Sequence, residues 1–183
     1  MNKVTGIKSD FSAVREEGSR IVIGYGLTKI DKNQYEWYET YLYKKQISQL
    51  TLQVVKDAVF SDINADTVSR ITQGFAYTVK HGTQAGIAVN VWLSKENQSD
   101  FHAMHQNASG MTFPVRYKVG ELDGTPVYEE FADADEMHEI CTSITTHILE
   151  CQQSGWDSKD AIDWTPFEEL FPENEQTPGV DEG

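Results

Sequence analysis

Ile71 to Phe101 reads ITQGFAYTVKHGTQAGIAVNVWLSKENQSDF, two alternating segments that run straight into a helix start. Phe75, Tyr77 and Val79 alternate with Ala76, Thr78 and Lys80, and after a loop from Gly82 to Gly86, Ile87, Val89, Val91 and Leu93 alternate with Ala88, Asn90 and Trp92. Successive side chains of a strand point to opposite faces, so each segment offers one apolar face, the pattern of a half-buried antiparallel pair. Ser94 stands just before Lys95, Glu96 and Asn97, where its hydroxyl can accept from an orphan amide of the first helical turn, and Glu96 suits the positive end of the helix dipole. The helix carries Phe101 and Met104 and ends over Asn107 to Gly110.

The same hairpin-then-helix plan recurs on either side. Upstream, RIVIGYGLTKI from Arg20, a turn at Asp31-Lys32-Asn33 and QYEWYETYLYKK form a hairpin with Tyr35, Trp37, Glu39, Tyr41 and Tyr43 on one face. Gly24 and Gly26 leave room there for a bulge or for close approach of aromatic rings. Ser48 is placed to cap a helix carrying Leu50, Leu52, Val54, Val55, Ala58 and Val59, and Asp62 to Asn64 reads as a break, with Asn64 capping a second short turn through Val68 and Ile71.

Downstream, MTFPVRYKV and PVYEEF flank a turn centred on Asp123-Gly124, and Asp133 or Asp135 opens a helix on which Met137, Ile140, Cys141, Ile144, Ile148 and Cys151 recur at helical spacing. That helix should cover a sheet, and Gly155 is placed to stop it. Pro114 and Pro126 lack amide donors, which puts their strands at an edge or a bulge. GWDSKDAIDW reads as a short helical turn, and Thr165-Pro166-Phe167-Glu168 reads as a capping box opening a last helix that ends by Pro172.

These patterns predict an α+β protein of three successive β-hairpin-plus-helix units with antiparallel sheet and a short C-terminal helix. The 183 residues, 39% hydrophobic, suffice for one core, so a single α+β domain is expected over 20–171. Residues 1–19, anchored by Val4, Ile7, Phe11 and Val14, read as an arm or a first edge strand, and 172–183 as an acidic tail with almost nothing to bury.

Net charge is −14, unevenly spread: residues 1–95 hold 12 Lys and Arg against 9 Asp and Glu, and residues 96–183 hold 3 against 20. An acidic half repels phosphates, so neither nucleic acid nor a membrane is expected as a partner. It reads either as a solvated surface or as a surface for docking on a basic neighbouring protein. No apolar run approaches the ~20 residues that span a bilayer and the N-terminus lacks a signal peptide's apolar stretch, which predicts a soluble protein made in the cytoplasm. Cys141 and Cys151, ten residues apart on one helix, stand ~15 Å apart and are expected to stay thiols.

No reaction chemistry emerges. His102 and His105 share a helical face and could approach one metal, but a third ligand is out of sequence reach, and His138 and His147 could join only through the fold. Asp157, Asp160 and Asp163 lack the alternate-position oxygens and glycine of a calcium loop. Gly24-Tyr25-Gly26 opens no phosphate loop, and no nucleophile elbow occurs. The chain is therefore not expected to be an enzyme, and no metal or cofactor is expected. The strip Tyr35, Trp37 and Tyr41 is the leading candidate for binding, since such rings combine apolar area with a polar tip, although alternate aromatics on a strand are ordinarily core or cross-strand pairs. Trp92, Trp164 and Phe171 complete the candidate interface.

The phrases YEWYETYLYKKQ, INADTVSRITQGFAYT, VWLSKENQSDF, FPVRYKVGELDGTPVYEEF and GWDSKDAIDW, in that order over roughly residues 20–170, resemble a family encoded beside the tail genes of tailed bacteriophages of gut bacteria. The resemblance rests in particular on Gly74-Phe75, Val91-Trp92-Leu93-Ser94 and Asn97-Gln98. It implies a tail-associated virion protein that is structural or assists assembly, located in the virion and partnered by other phage proteins as a homo- or hetero-oligomer. It supplies no functional residue. Two alternatives stay open: a receptor- or carbohydrate-binding tail module using the aromatic strip, and an assembly chaperone absent from the mature particle.

Overall fold

The computed structural model describes residues 1–43 and 45–172, and hairpins and helices alternate along them. Strands β3 (Arg20–Lys29) and β4 (Tyr35–Tyr43) lead to helix α1 (Leu52–Gln73). Strands β5 (Phe75–Thr78) and β6 (Ala88–Val91) lead to α2 (Lys95–Asn107), and β7 (Val115–Leu122) and β8 (Thr125–Phe131) lead to α3 (Ala134–Asp160), followed by the short α4 (Thr165–Leu170). All three hairpins are antiparallel, so the protein is α+β, built from three hairpin-plus-helix units and a short C-terminal helix.

Residues 1–19 are built into the first sheet, with the first strand at its edge, and do not stand off as an arm. Strand β1 (Asn2–Gly6) pairs with β4 and β2 (Val14–Glu17) pairs with β3, giving the order β1-β4-β3-β2. Gly26, at φ +67°, falls where the β3–β4 register shifts between Tyr25 and Thr28, and Gly24 lets the Phe11 ring close on the sheet, 3.2 Å from where a Cβ would stand. At the β7–β8 turn, Asp123 (φ 51°) and Gly124 (φ 75°) both take the left-handed conformation that a two-residue hairpin loop requires.

In place of the single domain expected over 20–171, the chain forms two compact units, Met1–Asp66 with the chain from Trp156 onward, and Thr67–Gly155. Each has its own apolar core. In the first, Ile21, Ile23 and Tyr25 of the sheet meet Val55, Val59 and Ile63 of α1 and Phe167 of α4. In the second, Val89 and Val91 of β6, Val119 and Val127 of the third hairpin and Phe101 of α2 meet Met137, Ile140 and Ile144 of α3. The unit boundary falls within α1 and within α3, which is why periodicity along those helices concealed it. No helix among the described residues is long and apolar enough to cross a membrane.

Four features of the helices depart from the sequence reading. The break expected at Asp62 to Asn64 is absent, because α1 runs unbroken for 22 residues. Polar residues inside a helix cost only a few tenths of a kcal/mol, and these two find tertiary partners: the Tyr25 hydroxyl donates to Asp62 at 2.7 Å and Lys159 donates to Asn64 at 2.6 Å. The cap also moves from Ser48 to Thr51, whose Oγ1 accepts from the Val54 amide at 3.3 Å. For α4, the residue before the helix is Trp164, and the Asp163 carboxylate accepts the Thr165 amide at 3.0 Å, so Asp163 replaces the expected Thr165 cap.

The fourth departure is Gly155, which does not stop α3. It lies buried inside the helix, and a Cβ on it would stand 2.4 Å from Thr67 Oγ1 on α1. Its role is close helix approach, not termination. Gly155→Ala is expected to destabilise by about 1–3 kcal/mol through overpacking, and Gly155→Ala combined with Thr67→Ala is expected to recover more than half of that loss. Urea midpoints of the two single variants and the double variant measure the coupling. The acidic tail expected over 172–183 lies outside the described residues from 173 on.

Candidate functional site

In the first unit, the sheet face carrying Ile21, Ile23 and Tyr25 packs against α1 and α4, and among the described residues no α-helix of this unit packs on the other face. Strand register fixes what that second face displays: Arg20 lies opposite Tyr43, Val22 opposite Tyr41 and Gly24 opposite Glu39, while β1 sets Asn2 beside Glu39 and Val4 beside Trp37. Its centre is Glu39, only 6% exposed. Arg15 donates to Glu39 at 2.9 Å, Trp37 Nε1 at 3.1 Å and the Tyr41 hydroxyl at 3.4 Å. Asn2 donates to the Tyr41 hydroxyl at 2.8 Å, and the Arg20 guanidinium lies 4.3 Å over the Tyr41 ring. Burial pushes the Glu39 carboxyl up, but the Arg15 and Trp37 donors, the Arg15 charge and Tyr41 outweigh it and hold the group below the usual carboxylate range.

This geometry decides the aromatic strip. Trp37 is 2% exposed, its indole N–H is committed to Glu39 and the Phe11 ring meets it edge-on at 6.0 Å, so it has no free face for stacking a ligand. Tyr35 and Tyr41 are half-buried, and Tyr43, at the end of the strip, is 64% exposed. Glu39→Gln keeps an acceptor for Trp37 but loses the charge opposite Arg15, and is expected to cost about 1–2 kcal/mol at neutral pH. Because the folded-state pKa is depressed, this stability is present above the ordinary carboxylate range and fades as pH falls through the folded value. The gap between Glu39→Gln and the wild type should therefore narrow below pH ~4, a trend that denaturation midpoints measured from pH 3 to pH 7 would reveal or refute.

The second unit holds two clefts and one buried carboxylate. Trp92, at the end of β6, is 57% exposed and lines a groove of about 510 Å³ with Asn90, Asn97, Tyr117 and Lys118. A second cleft of about 440 Å³ lies between α2 and α3, lined by His102, His105, Gln98, Cys141 and Thr145. His138 joins His105 through the fold, ring centroids 4.6 Å apart and His138 Nε2 3.3 Å from the His105 carbonyl, whereas His147 turns to the Arg70 carbonyl at 3.3 Å. No group of three or more metal-ligating side chains comes together among the described residues. Cys141 and Cys151 are buried free thiols, and burial pushes the Cys141 thiol up, away from nucleophilic reactivity.

Glu129 is 1% exposed and accepts from the Tyr77 hydroxyl and the Lys80 amide at 2.7 Å, from the His81 amide at 2.8 Å and from the Glu130 amide at 3.1 Å. The loop after β5 is thereby tied to β8. Gln84 adds a two-way amide clasp on the outer edge of β8, donating to the Pro126 carbonyl at 3.2 Å and accepting from Tyr128 N at 2.8 Å. This covers a strand edge that would otherwise be open for pairing.

The remaining candidates separate. Trp164 packs against Phe60 and Phe167 at 5.7 and 5.5 Å, and Phe171 packs against the first core, so both serve structure. The sequence reading missed Arg15, Arg20 and Asn2 around Glu39, and missed Glu129 altogether. A signal for Glu129 existed, since it falls in phase with Val127 and Phe131 on the buried side of β8.

The fold defines an α+β protein of repeated hairpin-helix units. The sequence profile of a protein family, described as a domain of unknown function (DUF4376), matches residues 54–176, more than half of the chain, and the chain belongs to that family. No curated protein and no solved structure matches it.

Proposed function

We propose that this protein is a tail-associated virion component of a tailed bacteriophage, structural or assisting assembly, that acts by docking on neighbouring protein subunits. The observation that carries the docking is the face of the four-stranded sheet turned away from α1 and α4, where the Glu39 network holds Tyr41 and the Arg20 guanidinium lies over its ring, beside the half-buried Tyr35 and the exposed Tyr43. Tyrosine and arginine fixed in position are the residues that concentrate binding energy at protein interfaces, because little side-chain freedom is left to lose. Strands β1 and β2 are the outer strands of that sheet and suit strand addition, and the acidic half of the chain suits a basic neighbour. The phage setting itself is supported by the resemblance of the five phrases quoted above.

Mass spectrometry of purified particles tests this directly, and a fixed copy number per particle is the expected result. Presence in infected cells with absence from particles would move the assignment to an assembly chaperone. Absence from both would remove the virion reading. A receptor- or carbohydrate-binding role for the strip at Trp37 is disfavoured by the burial of that ring.

A further inference from the structure

The groove beside Trp92 has features that the docking role leaves unused, and all its residues belong to the second unit, apart from the Glu39 face. The backbone on both sides of Trp92 is fixed: Val91 before it pairs with Phe75 in the hairpin, and after it Asn97 Nδ2 donates to the Trp92 carbonyl at 2.7 Å, Gln98 Nε2 to the Leu93 carbonyl at 2.8 Å, and the Leu93 amide to the Thr72 carbonyl at 3.0 Å. A rigid segment thus presents an indole more than half exposed, although burying that ring would have been favourable. The floor is apolar, formed by Phe101 and Val119, with Tyr117 meeting Phe101 edge-on, ring centroids 5.2 Å apart.

The rim supplies acceptors without net charge. Lys118 pairs with Glu121 within the lining, so the two charges offset one another there, and the Asp100 and Glu96 carboxylates act on Tyr117 beside it, which disfavours an anionic ligand. Asn90 gives one amide hydrogen to the Gln73 carbonyl and Asn97 gives one to the Trp92 carbonyl, which leaves on each side chain the carboxamide oxygen to accept and a second N–H to donate. One exposed aromatic face, a rim whose charges are paired and two positioned carboxamides complement a ligand with one apolar C–H face and a ring of hydroxyls. A purely aliphatic partner would bury the two oxygens without donors, which is unfavourable. The volume lies within the range of small-ligand clefts.

We propose that this groove is a saccharide subsite, taking one neutral pyranose ring against the Trp92 indole with hydroxyls donating to Asn90 and Asn97. The test titrates the full chain with neutral gluco-, galacto-, manno- and N-acetylglucosamine oligosaccharides, and in parallel with sialylated and sulfated ones, up to ~10 mM, a range that captures millimolar affinities. Four tryptophans give four indole N–H resonances, assigned by single Trp→Phe variants. The expected result is a saturable shift of the Trp92 resonance with at least one neutral sugar. Trp92→Ala should weaken binding at least about tenfold without moving the thermal midpoint, because the ring contributes little to the core. The proposal is overturned if no neutral sugar moves the Trp92 resonance, if charged sugars bind better than neutral ones, or if Trp92→Ala binds as well as the wild type.

Discussion

Glu129→Ala is expected to destabilise the protein by about 3–5 kcal/mol, since it strands buried donors in addition to deleting a side chain. The carboxylate accepts from the Lys80 and His81 amides and the Tyr77 hydroxyl, which would be left facing a site that is 1% exposed. A loss of that size is a large part of the roughly 5–15 kcal/mol by which domains of this size are stable. The contrast comes from Glu139, whose ion pair with Lys80 ties down the same loop from the surface at 65% exposure. Glu139→Ala should change stability by less than about 1 kcal/mol, because exposed pairs are screened and gain little. Equal urea midpoints for the two variants would show that burial does not control this loop.

The same carboxylate gives the protein an acid limit. Burial pushes Glu129 up, but the Lys80 amide, the Tyr77 hydroxyl and the His81 and Glu130 amides together hold it below the usual carboxylate range. A depressed folded pKa means that its contribution is complete above the ordinary carboxylate range and is lost as pH falls through the folded value. Glu129→Gln should therefore lie closest to the wild type in the most acidic samples and furthest from it at neutral pH.

Gly74→Ala is expected to have an effect of similar or greater size for a different reason. Gly74 sits at φ +72° between α1 and β5, and a Cβ there would stand 1.6 Å from the Val91 carbonyl oxygen, an overlap with backbone that no rotamer change relieves. The left-handed conformation alone costs an alanine about 1–2 kcal/mol. Gly86, at φ +87° with nothing within 4 Å of a Cβ, isolates that term. Gly86→Ala should lose about 1–2 kcal/mol, whereas Gly74→Ala should lose more than ~4 kcal/mol or fail to fold. Thermal and urea unfolding of both variants, each compared with the wild type, would expose a similar loss if steric overlap at Gly74 were unimportant.

Local chemistry was written plainly in the chain. Alternation of Val89, Val91 and Leu93, the Ser94 cap and the Asp123-Gly124 turn are properties of neighbouring residues, and they determined the hairpins, the helix starts and the α+β class. Distance along the chain hid the rest. Asp62 and Asn64 look like helix breakers until Tyr25 and Lys159 are brought beside them, and Gly155 looks like a stop until Thr67 is packed against it.

The candidate site divides along the same line. The in-phase positions of Tyr35, Trp37, Glu39 and Tyr41 followed from the two-residue strand period. Alternation also set Trp92 and Asn90 on the face opposite Val89 and Val91, but only the fold turned Trp37 into the buried partner of Phe11 and Glu39 and set Tyr117 and Lys118 beside Trp92. Short-range sterics and hydrogen bonding determine which elements form. Burial depends on which elements meet, and it was the meeting of distant segments that gave each polar or aromatic side chain here either a partner or a surface.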